Sequence, residues 1–269
     1  MKKFKESQII QDSLSLSPRL VYQIIRIEGE EELARPLRSL LWAGIAAGML
    51  ICFSVLGEAI LRTHLPDTPS RYVFENFGYS FGFLLVILGR LQLFTENTIT
   101  TVFPLVSEPT PRMFLSVMRL WAIVLSANVV GAFAAAALLA YTPAIPADLL
   151  PAITGLSEHA LRFEPGEGLM RAIPAGILVA AIIWMLPQVP GSAFLLIVAF
   201  TWLIAAGDFT HVVAGSVEMW FLLLTGGTTA NTAIFSFFLP VLAGNIAGGT
   251  AVFTLMAWGQ VKDEWDEED

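Results

Sequence analysis

The chain has 269 residues, of which 55% are hydrophobic and 14% charged, and its mean hydropathy is +0.69. A soluble domain carries nearer a quarter charged residues, so the composition excludes an ordinary soluble enzyme and points to a helical, multi-pass membrane protein. The net charge of −8 sits largely in the terminal run Asp263-Glu264-Trp265-Asp266-Glu267-Glu268-Asp269 and implies no nucleic-acid partner.

Residues 1–38 are polar and carry Lys2, Lys3, Lys5, Arg19, Arg26, Arg35 and Arg38. No cleavable signal peptide is expected there. Within 18–34, Leu20, Val21, Ile24, Ile25 and Leu33 alternate with charges, which predicts an amphipathic helix lying on the membrane or on a neighbouring subunit. The basic excess places this end in the cytoplasm.

Six spans follow, at about 40–61, 72–106, 113–141, 169–186, 193–224 and 234–258. Six crossings return the acidic tail, 261–269, to the cytoplasmic side, and leave 39–260 as one channel domain. The only cysteine, Cys52, falls in the first span, so no disulfide framework exists. The second stretch is too long for one straight crossing and holds Arg90, Gln92, Thr95, Glu96 and Asn97 at its middle. The fifth joins two short apolar runs through Gly207-Asp208-Phe209-Thr210-His211. Ionisable groups at that depth face a cavity, a partner or a permeation path, and non-helical backbone there lines protein or water. Both interruptions fall in the second span of a three-span half, the pattern of an inverted repeat with its site between the halves. The fold expected is all-α, integral to the membrane, with broken second and fifth spans.

At the first break Thr95 or Asn97 is expected to cap the half-helix that follows; at the second, Asp208 or Thr210, with His211 in the first turn. Such half-helix ends attract an anion. A neutral His211 still donates a hydrogen bond or passes a proton to a weak-acid anion. Glu218, seven residues on, shares its face and belongs either to a proton path or to an ion pair with Arg90 or Arg171. His64 and His159 fall in connections and are expected to be solvated. Gly44/Gly48, Gly78/Gly82 and Gly244/Gly248 have the spacing of close helix contacts. No nucleotide loop, metal-spaced Cys/His set or nucleophile elbow is present, so neither cofactor nor metal is expected, and no enzyme activity.

Four segments resemble the formate/nitrite transporter family in order. They are Leu93-Phe94-Thr95-Glu96-Asn97, Asn128-Val129-Val130-Gly131-Ala132, Phe209-Thr210-His211-Val212-Val213-Ala214, and Leu239, Pro240, Val241, Gly244, Asn245, Gly248 and Gly249. The match runs from about residue 40 to 258, and its wording is closest to the YfdC-like bacterial inner-membrane branch. The resemblance implies an aquaporin-like subunit, a homopentamer with one pore per subunit, and passage of small monovalent anions or their acids. It makes Thr95 and His211 the pore-centre pair, with Leu93, Phe94, Phe83 and Ile204 narrowing the pore, and with Asn97, Phe209 and Thr210 along the pathway. Arg90, Asp208 and Glu218 are the charged candidates beside it.

The chain departs from the family pattern at Thr210 (family glutamate), Gly215 and Gly176 (family asparagines) and Ala160 (family vestibule lysine), with Arg162 the nearest base. Arg90 and Glu96 stand where the family has small residues. Either Arg90 supplies the missing anion attraction, or the substrate is not formate or nitrite. A channel for small neutral solutes and a non-transporting membrane partner are the competing readings.

Overall fold

The computed structural model describes residues 15–262, and among them every regular element is helical. The acidic tail, 263–269, and the lysines at 2, 3 and 5 lie outside the described residues.

Pro18–Ala34 forms α1, with Pro18 at its first position and the Ser17 hydroxyl accepting from the Leu20 amide at 3.3 Å. Four helices are long and apolar enough to cross a membrane: α2 (Leu37–His64), α5 (Pro111–Tyr141), α7 (Pro165–Gln188) and α10 (Thr232–Val261). Between them lie two pairs of shorter helices, α3 (Ser80–Leu88) with α4 (Phe94–Thr100), and α8 (Ala193–Ala206) with α9 (Val212–Thr225). The connection between α5 and α7 holds a helix that the sequence reading missed, α6 (Leu150–Leu161). Its Ala152, Ile153, Leu156 and Ser157 are buried against α9 and the C-terminal half of α2.

The expected amphipathic helix exists, but its partner is different. The apolar face of α1 (Val21, Tyr22 and Ile25) is buried against Ile99, Phe103, Ala180, Ile183, Ala257 and Val261 of its own chain. The Tyr22 hydroxyl bonds Ser107 Oγ at 2.7 Å. Shape complementarity with the underside of the bundle, invisible in a periodic pattern, decides the docking.

Small residues set the helix contacts. A Cβ on Gly48 of α2 would collide with the Asn128 carbonyl of α5, and one on Gly176 of α7 with the Asn245 carbonyl of α10. These glycines bring the two asparagines to the bundle centre. Helix α10 achieves its fit by widening, with π-helical winding over Thr232–Phe238 and Ala247–Thr254. Many large apolar side chains face outward, among them Trp42, Leu115, Leu195 and Met256, which suits a hydrocarbon surround or further copies of the chain.

Gly176→Val should lower stability by about 1–3 kcal/mol through overpacking. Gly166→Val, where an added Cβ meets nothing within 4 Å, should leave it unchanged. Thermal unfolding in detergent, followed by size-exclusion fluorescence, compares the two.

Candidate functional site

Helices α3 and α8 each end in glycine followed by a residue in left-handed backbone: Gly89 then Arg90 (φ 49°), and Gly207 then Asp208 (φ 57°). The chain then runs extended through Leu93 (φ −102°, ψ 125°) and His211 (φ −123°, ψ 125°) into α4 and α9. One side chain secures each break. Asn128 Oδ1 accepts the Phe94 amide at 2.9 Å, and its Nδ2 donates to the carbonyls of Gly44 (2.9 Å) and Gln92 (2.8 Å). Asn245 repeats this with the Val212 amide (2.8 Å) and the carbonyls of Ala172 (2.8 Å) and Thr210 (3.0 Å). Backbone groups released by each break thereby regain partners away from water.

The expected capping residues do not cap. Neither Thr95 nor Asn97 caps α4, because the helix already begins at Phe94 and both lie inside it, while the asparagine from α5 takes the Phe94 amide. At α9 the cap is His211 itself, whose Nδ1 accepts the Ala214 amide at 3.2 Å. Thr210 instead donates to the Gly168 carbonyl at 2.9 Å. With Nδ1 an acceptor, a neutral His211 ring keeps its proton on Nε2, which lies 2.8 Å from Thr95 Oγ1. The Phe83 ring meets the imidazole edge-on, with centroids 5.1 Å apart.

Two cavities that share no lining residue lie near this pair. The first, about 80 Å³, reaches His211, Phe209 and Thr210. The second, about 360 Å³, is lined by Arg90, Gln92, Leu93, Glu96 and Asn97, with Glu28 and Glu32 of α1 across it. Thr95, Phe83 and Ile204 line neither cavity and have no exposed surface, so a closed layer separates the two. Phe94 sits beside that layer rather than on either cavity, edge-on to Trp121 at 5.6 Å.

The charged candidates fall apart into two groups. Arg90 lies at the Gln92 cavity, mostly exposed, and bonds Glu28 at 3.0 Å. It therefore lies across the closed layer from Ala160, which lines the His211 cavity. Near Ala160 the bases are Arg162, Arg171 and His159, all held by Asp208: His159 Nε2 at 2.8 Å, Arg162 Nη2 at 3.1 Å and Arg171 Nη1 at 3.4 Å. The expectation that His159 is simply solvated is thus corrected, since α6 carries it to Asp208. Glu218 lines the same cavity and bonds neither Arg90 nor Arg171. Two departures gain physical reasons. The backbone of Asn245 leaves Gly176 no room for a side chain, and the Phe237 ring fills the space beside Gly215.

The formate/nitrite transporter family model matches residues 19–259. The chain belongs to the formate/nitrite transporter family. It is 38% identical to inner membrane protein YfdC of Escherichia coli (strain K12) over 260 residues, 97% of this chain and 84% of that one. It is 25% identical to formate-nitrite transporter 3 of Toxoplasma gondii over 231 residues, 80% of this chain but only 45% of that protein. Among solved structures, a pentameric formate channel with formate bound superposes with TM-score 0.72 at 20% identity, covering 84% of this chain and 97% of that one. A second, described as an FNT family ion channel, gives 0.76 at 17% identity, covering 89% and 98%. Family membership makes this a membrane channel or transporter, not an enzyme.

Asn245→Leu should destabilise the protein by about 1–3 kcal/mol for each of the three backbone groups it strands. Asn97→Leu should cost far less, because its side chain, which donates to Gln92 Oε1 at 3.3 Å and accepts from Thr100 Oγ1 at 3.4 Å, holds no backbone group. Thermal unfolding of the two variants in one detergent tests the ranking.

Proposed function

We propose that each subunit is a pore for small monovalent anions or their weak acids, with Thr95 and His211 at its narrowest point. The observation that carries this reading is the Thr95–His211 hydrogen bond set between two cavities and enclosed by Phe83, Leu93 and Ile204. His211 Nε2–H donates to Thr95 Oγ1, so the threonine's own hydrogen is free to donate to a passing anion. That hydroxyl and the N-terminal ends of α4 and α9 make the centre attractive to negative charge. The apolar layer is costly for a bare ion, and taking up a proton near His211 eases passage.

In this reading α3 with α4, and α8 with α9, each form one broken crossing, giving six spans in 39–260. The matching asparagine bonds support two halves related as an inverted repeat. Assembly is homopentameric, as in the formate channel that superposes. The protein lies in a bacterial inner membrane with both termini cytoplasmic, an orientation resting on the basic N-terminal segment. The Gln92 cavity, covered by α1, is then the inner mouth, and the His211 cavity the outer one. Phe209, Thr210 and Asn97 line the approaches, and Arg162 and Arg171, rather than Arg90, supply positive charge at the outer mouth.

A channel for small neutral solutes is the second reading, favoured by the carboxyl groups of Glu58, Glu96 and Glu218 on the cavity walls. Osmotic swelling with neutral solutes discriminates between the two.

Uptake of labelled formate and nitrite into proteoliposomes should be saturable or stimulated at pH 5 relative to pH 7, and lost in His211→Phe that still assembles. Uptake of neither ion by the assembled native protein would move the neutral-solute reading to the front. Thr95→Val, which keeps the shape but removes the hydroxyl, should reduce uptake by about tenfold, the value of one or two hydrogen bonds. Flux equal to the native protein's would remove Thr95 from the pathway.

A further inference from the structure

The His211 cavity holds more polar chemistry than a centre of Thr95 and His211 uses. Glu58 comes to it from α2, Glu218 from α9 and Tyr79 from the short helix Asn76–Tyr79. These side chains are more than nine-tenths buried, with 6%, 9% and 8% of their surface exposed. Among the described residues, none of the three side chains makes a hydrogen bond, and neither carboxyl has an ion pair within 4.0 Å. The base nearest by chain position, Arg62 one turn after Glu58, is engaged by Glu75 Oε1 at 2.7 Å. Arg71 stands 3.4 Å from the other oxygen of Glu75. Arg162 and Arg171 are held by Asp208. The wall thus keeps its bases occupied and leaves two carboxyls and a phenol hydroxyl turned to the space that a solute must cross to reach His211.

We propose that Glu58, Glu218 and the Tyr79 hydroxyl, which share this cavity and are joined there through water, form a proton-exchange site that converts a small weak-acid anion to its neutral acid before the closed layer. This rests on the pore reading above and names the group that supplies the proton. In the step, a carboxylic O–H bond of Glu218 breaks and a new O–H bond forms on the anion. The electron pair stays on the Glu218 carboxylate, and the neutral acid moves on to His211. The carboxylate regains its proton from water at the open side, by way of Glu58 and Tyr79. A volume of about 80 Å³ holds a small solute with a few waters, enough for a hydrogen-bonded chain between these groups. The same cavity explains why an anion pore tolerates acids on its wall: a carboxylic acid donates to an anion instead of repelling it.

Other groups face the pair. Arg62 comes from the end of α2, Arg71, Tyr72 and Glu75 from the segment between α2 and α3, His159 from α6, Arg162 from just after it, Arg171 from α7, and Asp208 from the second break. His211 closes the inner end. His159 also lines this cavity, so its contribution must be separated by substitution.

The test uses the full-length protein in proteoliposomes, with formate as probe and an acid step outside. Glu58→Gln, Glu218→Gln and Tyr79→Phe are compared with the native protein and with His159→Gln, each checked for assembly by size exclusion. Glutamine keeps the shape and polarity but exchanges no proton. Acid-stimulated uptake should fall by about tenfold or more in both glutamine variants, as for loss of a proton-transfer group. It should fall less in Tyr79→Phe, because water can replace a bridging hydroxyl, and should persist in His159→Gln. An unchanged pH profile in both glutamine variants would overturn the proposal. So would faster uptake in both, which would make the carboxylates plain electrostatic barriers. Infrared spectra provide a readout independent of transport. A protonated-carboxyl carbonyl band should titrate in the native protein and be lost or shifted in Glu218→Gln; its absence at every pH from 5 to 8 would also overturn the proposal. If the native protein passes no weak acid but keeps that band, the pore reading fails while the proton-holding pair stands.

Discussion

The whole arrangement depends on a backbone that leaves its helix inside the bundle without leaving its amides and carbonyls unpaired. In hydrocarbon an unmet backbone group costs several kcal/mol, so a break in a crossing exists only where something else makes its hydrogen bonds. Asn128 and Asn245 do this with one side chain each, accepting from the first amide of a half-helix and donating to one carbonyl within the break and one on a neighbouring long helix. Because the breaks are secured by side chains from α5 and α10, α4 and α9 begin at fixed points. Their first residues bring Thr95 and His211 within 2.8 Å of each other. Gly48 and Gly176 serve the same end by letting the asparagine-bearing helices come close. Site geometry and fold stability are here one network.

Much of this was legible in the sequence because it follows from composition along one dimension. Apolar runs gave the long helices to within a few residues, and the interruptions stood out through Arg90, Glu96, Asp208 and His211, residues too costly to place at random in a span. Thr95 and His211 were named as a pair only through family resemblance, since no spacing rule joins residues 116 apart. The capping roles were misjudged for a related reason. A local cap can be read from neighbouring residues, whereas Asn128 reaches Phe94 from 34 residues away, and Thr95 and Asn97 lie inside α4. His159 was equally hidden, because α6 looked like a loop and nothing in one dimension brings it to Asp208, and Arg171 was named as a partner for Glu218 when it in fact turns to Asp208. Glu58 was overlooked, although the same cost argument applies to it. It is a single acid in an apolar helix, and only the cavity shows what it faces.

The two cavities differ in how their charges are arranged. At the His211 cavity, bases are gathered on Asp208 and Glu75, leaving Glu58 and Glu218 on the wall. At the Gln92 cavity, α1 brings Glu28 against Arg90 and Glu32 against Gln92, so the amphipathic helix forms part of the wall. Its docking on Phe103, Ile183 and Val261 therefore fixes the electrostatics of that cavity as well as the position of the helix.

The widened winding of α10 carries a consequence for how this chain can vary. In an α-helix, hydrogen bonds run four residues back, whereas the π form closes at five, which changes the sequence offset that shares a face. Asn245 grips the break before α9, and Thr250, five residues later, donates to the Thr98 carbonyl of α4 at 2.8 Å. One rod thus engages both half-helices, its α-helical stretch holding the break before α9 through Asn245 and its π-helical stretch holding α4 through Thr250 and, at 3.4 Å, Thr254. Winding is consequently tied to the grip: a homologue that reverts the second stretch to ordinary α-helix would turn both threonines away from their present bearing on the Thr98 carbonyl.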